Sequence, residues 1–168
     1  MKPHGSGERK KEDVSAFITP DKIEDFGRNQ GVRNAVIILG ELSRAHHAEF
    51  TEAKYMLVRD CLIPQIMIDN ADRADIMAYM TVLEFQKARS EDYRHVVCVL
   101  QHKTADTHGP AQIVLTNYLY DHLNIFLREM HSKLAVKECT ESSEKFFFSF
   151  GENQMEYSQI SRSLNSIF

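Results

Sequence analysis

Apolar residues recur at helical steps through the first half of this chain. They merge into a near-continuous apolar run in the middle and return to helical steps beyond it. Order is expected to begin at Thr19. There Thr19-Pro20 offers an N-cap followed by proline at the first helical position, and a short helix runs to Gly27. A second helix follows Gly31, with Val32, Ala35, Val36 and Leu39 on one face, and stops near Gly40 to Ser43. A third is predicted from Ala48 to Met67, with Leu57, Cys61 and Leu62 as its buried stripe. Pro64 brings no backbone donor, so a kink or an early stop is expected there. Residues 68–81 turn into a further helical piece. Thr81 then caps a helix from Val82 to Arg89, and Glu84 stands where a capping box needs it.

The pattern changes at Tyr93. Residues 94–104 are β-branched and apolar, which predicts a strand covered on both faces. Residues 105–110 read as a turn and 113–115 as a second strand, together a hairpin. Thr116 or Asn117 caps a long helix whose Leu119, Leu123, Phe126, Met130 and Leu134 share a face. A polar connection over 135–144 leads to Phe146-Phe147-Phe148, a short apolar strand or turn. Ile160, Leu164 and Ile167 then mark a last helix, inside which the chain stops without a C-cap. Helices, a small hairpin and helices again predict a mainly α fold with a minor antiparallel sheet, of the α+β class.

Length and composition bound this picture. The chain has 168 residues, 43% hydrophobic and 10% aromatic, enough for one domain with a core. Residues 1–17 carry Gly, Pro, Ser and mixed charge with no apolar period, so a flexible tail is expected before a single domain over 18–168. Its Arg9-Lys10-Lys11 run sits beside Glu12 and Asp13 and reads as part of a solvated tail. No stretch approaches the roughly 18 apolar residues of a membrane span. The polar N-terminus has no secretory apolar run, so a nuclear or cytoplasmic protein is expected. The net charge of -4 leans against a dedicated nucleic-acid binder, although a local basic patch remains compatible with it. Cys61, Cys98 and Cys139 lie far apart and form no C-x-x-C pair, so neither a disulfide framework nor a cysteine zinc site is expected. Cys61 and Cys98 read as small core residues.

Few residues suggest chemistry. His46-His47 with Glu49 has metal-ligand types but not the H-E-x-x-H spacing, and His102 and His108 flank a turn without a third ligand. Exposed or capping histidines are the expectation, with no metal and no cofactor. Phosphate-binding glycine loops and a nucleophile elbow are absent from the sequence. Two cations stand out. Arg73 lies between predicted helices, and Lys103 ends the predicted strand. An arginine at a helix junction can offer a phosphate two parallel hydrogen bonds, and a lysine at a strand end can hold its ammonium over a groove. From spacing alone, the favoured readings are an Arg73 paired with Asp72 or Asp75 and a solvated Lys103 at a hairpin tip.

The order of segments adds a resemblance. Asn70-Ala-Asp-Arg73, Met80-Thr-Val-Leu-Glu-Phe85, Val96-Val-Cys-Val-Leu-Gln-His-Lys103-Thr and Gly109-Pro-Ala-Gln-Ile-Val-Leu115 succeed one another. Val58-Arg59-Asp60 precedes them, and Phe146-Phe-Phe-Ser-Phe-Gly151 and Tyr157-Ser-Gln-Ile160 follow. Together they resemble the phage-integrase-like catalytic domain of tyrosine recombinases, in the eukaryotic branch carried by Crypton-type mobile elements and their host-resident relatives. The resemblance covers residues 20–168, and 96–115 is its most specific stretch.

The resemblance implies that Arg73 corresponds to the family's first catalytic arginine and Lys103 to its hairpin lysine, with His102 and Thr104 beside them at the DNA. In that family a tyrosine hydroxyl attacks a phosphodiester, arginines stabilise the charge that builds on phosphorus-bound oxygens, and the lysine protonates the leaving oxygen. No metal or cofactor takes part. The family's H-x-x-R box is absent, since no histidine here has an arginine three residues later. Tyr157 comes too early to be the nucleophile, and Ile76 stands where many bacterial relatives carry an acid. The resemblance therefore implies the first half of a catalytic domain, truncated at the C-terminus. Such a half would bind DNA weakly through phosphates, without cleaving it. Alternatively it would serve as a helical protein-interaction module, self-associating or meeting a partner through apolar surface left uncovered.

Overall fold

The computed structural model describes residues 19–45, 49–70, 74–133, 144–149, 153–155 and 159–160. The expected flexible tail, Leu134, Leu164 and Ile167 lie outside these residues. The fold is mainly helical with a small antiparallel sheet, as the pattern predicted.

Helix α1 spans Pro20–Arg28, and its cap is the expected one: the Thr19 hydroxyl accepts the backbone N–H of Lys22 at 3.4 Å. Asn29 ends this helix and starts the next. Its backbone N–H returns to the Phe26 carbonyl, while its side-chain oxygen accepts the N–H of Gly31 at 2.7 Å. Helix α2, Gln30–Arg44, buries Ala35, Leu39 and Leu42. Val36, expected on that face, points outward, because the stripe runs on through Leu42 and rotates away from it.

Of the kink or early stop expected at Pro64, the stop is corrected: helix α3, Glu52–Asn70, passes through the proline to Asn70. Tyr55, Val58, Cys61, Leu62, Ile63, Ile66 and Met67 are all buried, so this helix is covered almost all round by the rest of the fold. That burial outweighs the ~3 kcal/mol that an interior proline costs an isolated helix. Two short helices follow, α4 (Ala74–Tyr79) and α5 (Val82–Gln86). The predicted capping box is present. The Glu84 N–H reaches the Thr81 hydroxyl at 3.2 Å, and the Thr81 N–H reaches the Glu84 carboxylate at 2.8 Å.

The sheet has three antiparallel strands in the order β1 (Arg89–Glu91), β2 (Arg94–Val99) and β3 (Ala111–Thr116). Val96 sits opposite Val114, and Val97 opposite Ile113. Strand β1 replaces the predicted end of the preceding helix. It joins β2 through Asp92 and Tyr93, both at positive φ, a two-residue turn with none of the glycine that usually announces one. Strand β2 ends five residues sooner than predicted. Leu100 leaves the ladder, and its N–H goes instead to the second carboxylate oxygen of Glu84 at 2.9 Å.

Helix α7, Asn117–Glu129, is capped by Thr116 and buries Leu119, Leu123 and Phe126 as predicted. Its Phe126 lies 5.4 Å from the Tyr55 ring and 6.0 Å from that of Phe146, which stands 4.7 Å from Phe85. These rings join α3, α5, α7 and the 144–147 segment in one core. That segment pairs with the α4–α5 junction in strand fashion: the Val82 N–H donates to the Glu144 carbonyl, and the Phe146 N–H to Met80. Two short strands, β4 (Phe148–Ser149) and β5 (Asn153–Gln154), form a separate hairpin. Among the described residues no helix is long and apolar enough to cross a membrane.

Candidate functional site

The candidate site is the connection between β2 and β3, residues 100–110. Its backbone is held at both ends. Glu84 captures Leu100 where the strand stops. At the other end a helical turn, α6 (Ala105–His108), closes on Gly109, whose N–H returns to the Ala105 carbonyl at 2.8 Å. Gly109 sits at φ 72, in the left-handed region where a side chain would strain the backbone. The expected turn is thus a short helix ended by a glycine.

His102 ties the two ends together. It is only 7% exposed, and its Nε2 lies 2.9 Å from the Gly109 carbonyl oxygen. A carbonyl only accepts, so Nε2 carries the proton and donates. That assignment leaves Nδ1 as the acceptor for the Thr104 hydroxyl, 3.4 Å away. The structure corrects the expectation of an exposed or capping histidine at this position: the ring is buried and bonded through both nitrogens. The ring's one acceptor lone pair, on Nδ1, faces the Thr104 hydroxyl, and among the described residues no group of three His, Cys, Asp or Glu side chains comes together. His46 and His47 lie outside the described residues.

Lys103, between these two inward residues, is exposed, and among the described residues no carboxylate pairs with it. It stands in the turn beyond β2 and not at the strand's end, a correction that follows from the early departure of Leu100. Arg73 lies outside the described residues. The helices on either side of it end at Asn70 and begin at Ala74. Asn70 is bonded to the sheet. Its amide nitrogen donates to the Val114 carbonyl at 2.9 Å and to the Ile66 carbonyl at 2.8 Å, and its oxygen accepts the Val114 N–H at 2.7 Å.

Among the described residues, the buried Arg59, Glu129 and His131 were given no role by the sequence reading. Arg59 is buried on α3, with its guanidinium bonded to Asp60 at 2.8 and 2.7 Å and lying 5.9 Å from the centre of the Tyr55 ring. An Arg-Asp pair inside an otherwise apolar window was the available signal for Arg59. His131 is buried below α7 and donates to the Lys145 carbonyl at 3.0 Å. Burial, with the nearby Asp60 charge second, pushes the Cys61 thiol up to about 12, in keeping with a core cysteine. Cys98 is half-buried on β2, more open than expected, and Cys139 lies outside the described residues.

No protein-family model matches this chain, and neither a curated protein nor a solved structure is significantly similar to it.

Proposed function

We propose that this chain is a DNA-contacting relative of tyrosine-recombinase catalytic domains that does not itself cleave DNA. The observation that carries the reading is Lys103: an exposed cation without an ion-pair partner among the described residues, on a connection braced by Glu84, His102 and Gly109. The backbone that carries this lysine is ordered before a phosphate arrives, so only the side chain has to be fixed on binding. The order of elements supports the reading too: a helix ending at Asn70, three residues before Arg73 in sequence, two short helices, then an antiparallel sheet with the lysine between its last two strands. Phosphoryl transfer needs its parts together, and residues 1–168 contain no H-x-x-R box, so the activity proposed is phosphate-directed binding alone. Filter retention of duplex DNA at low salt tests the reading. Retention that falls for Lys103→Ala and for Arg73→Ala is the expected result, and no retention by the wild-type chain removes it.

A second reading, a helical protein-interaction module, draws on Ile23 of α1 and Ile37 of α2, exposed at 42% and 55%. Sedimentation velocity separates the two readings. Concentration-dependent association that Ile37→Glu abolishes favours the second, and a clean monomer counts against it.

A further inference from the structure

We infer that His102 is a positioning residue for Lys103, and that Thr104 shares this task. The inference rests on the DNA reading for its purpose, but on geometry alone for its mechanism. His102 and Thr104 flank the lysine; the His102 ring is buried, and the half-buried Thr104 turns its hydroxyl toward it. His102 is buried, with its Nε2 proton given to Gly109 and its Nδ1 facing the Thr104 hydroxyl. The bond to Gly109 spans seven residues and joins the entry of the connection to its exit. The backbone inside that span is closed as well. Ala105 donates to the His102 carbonyl at 3.0 Å, and Thr107 and His108 donate to that of Thr104 at 3.1 and 2.9 Å.

The backbone of Lys103 is therefore carried on a ring of bonds that His102 closes, and the point from which its side chain leaves the chain is set before any phosphate arrives. The cross-link needs a donor at the Nε2 position. Glutamine places an amide N–H2 at comparable reach, asparagine falls short of it, and alanine removes the donor and leaves the half-buried Gly109 carbonyl without it.

Two measurements on the full chain test this. The first is tryptic cleavage after Lys103, which needs the connection to open. His102→Ala is expected to raise that rate about tenfold, the effect of losing one part-buried hydrogen bond, and His102→Asn to raise it too, while His102→Gln stays near the wild-type rate. The second is duplex DNA affinity. Lys103→Ala is expected to weaken it about fivefold, His102→Ala to weaken it by a similar factor, and the double variant to be no weaker than Lys103→Ala alone. A wild-type cleavage rate for His102→Ala overturns the positioning role and leaves the DNA reading standing. Additive losses in the double variant also overturn it. Unchanged affinity in Lys103→Ala overturns the DNA reading instead, and the cleavage rates still decide whether His102 holds the connection.

Discussion

The side-chain amide of Asn70 grips both backbone groups of Val114. It accepts the N–H at 2.7 Å and donates to the C=O at 2.9 Å, as a neighbouring strand would. Val114 lies on β3, an edge strand whose other side is paired with β2. One side chain at the end of α3 thus closes part of that open edge and fixes the helix to the sheet. Asn70→Ala leaves both Val114 groups and the Ile66 carbonyl without this partner, and is expected to cost about 2–3 kcal/mol in urea unfolding. Asn70→Asp keeps the acceptor but turns a carboxylate toward two carbonyls, and should be no better than alanine. A loss under about 0.5 kcal/mol for both variants contradicts the structural role assigned to the amide.

Tyr93 carries strain that its exposure does not offset. It stands at φ 67 in the β1–β2 turn and is 86% exposed. Tyr93→Gly removes the side-chain conflict with a left-handed backbone and is expected to raise stability by about 0.5–1 kcal/mol. Tyr93→Val, branched at Cβ, should lower it. Thermal unfolding of the two variants against wild type checks the order.

How much was legible follows the range of each interaction. The Thr19, Thr81 and Thr116 caps join residues three apart, and all three were readable from local sequence. The strand's end at Val99 was not, because Glu84, sixteen residues away, withdraws Leu100 from the ladder. Passage of α3 through Pro64 depends on the packing around it, which no local rule contains. The β1–β2 turn was missed because Asp92-Tyr93 lacks the glycine that signals such turns. At the candidate site, the segment holding Lys103 was legible, but the inward turn of His102 toward Gly109 depends on how the connection closes.

Cys61 ties stability to alkaline pH. Its thiol ionises at about 12 in the folded chain against 9.0 without burial. The folded state therefore keeps a proton that the unfolded chain releases, and this share of stability is whole below pH 9.0 and lost as pH rises toward about 12. Cys61→Ala should flatten that part of the stability profile relative to wild type. In alkylation at pH 8, mapped thiol by thiol, Cys98 is expected to react well before Cys61. Equal labelling of the two contradicts the burial of Cys61.

His122 acts at the acid end. Burial lowers its pKa below 6.5, with Asp121 opposing the shift. Its neutral form is favoured on folding, so the stability it contributes is present above pH 6.5 and lost as pH falls through the lowered value. His122→Gln should reduce the drop in melting temperature between pH 7 and pH 5. An unchanged drop would show that other groups account for it.

The contact between the Lys103 ammonium and DNA is tested most directly by duplex affinity as a function of salt concentration, for wild type and Lys103→Ala. One phosphate contact removed should make the slope of log affinity against log salt shallower by about 1, with the weakening uniform across unrelated sequences. Parallel lines of equal affinity for the two proteins would contradict the proposed function.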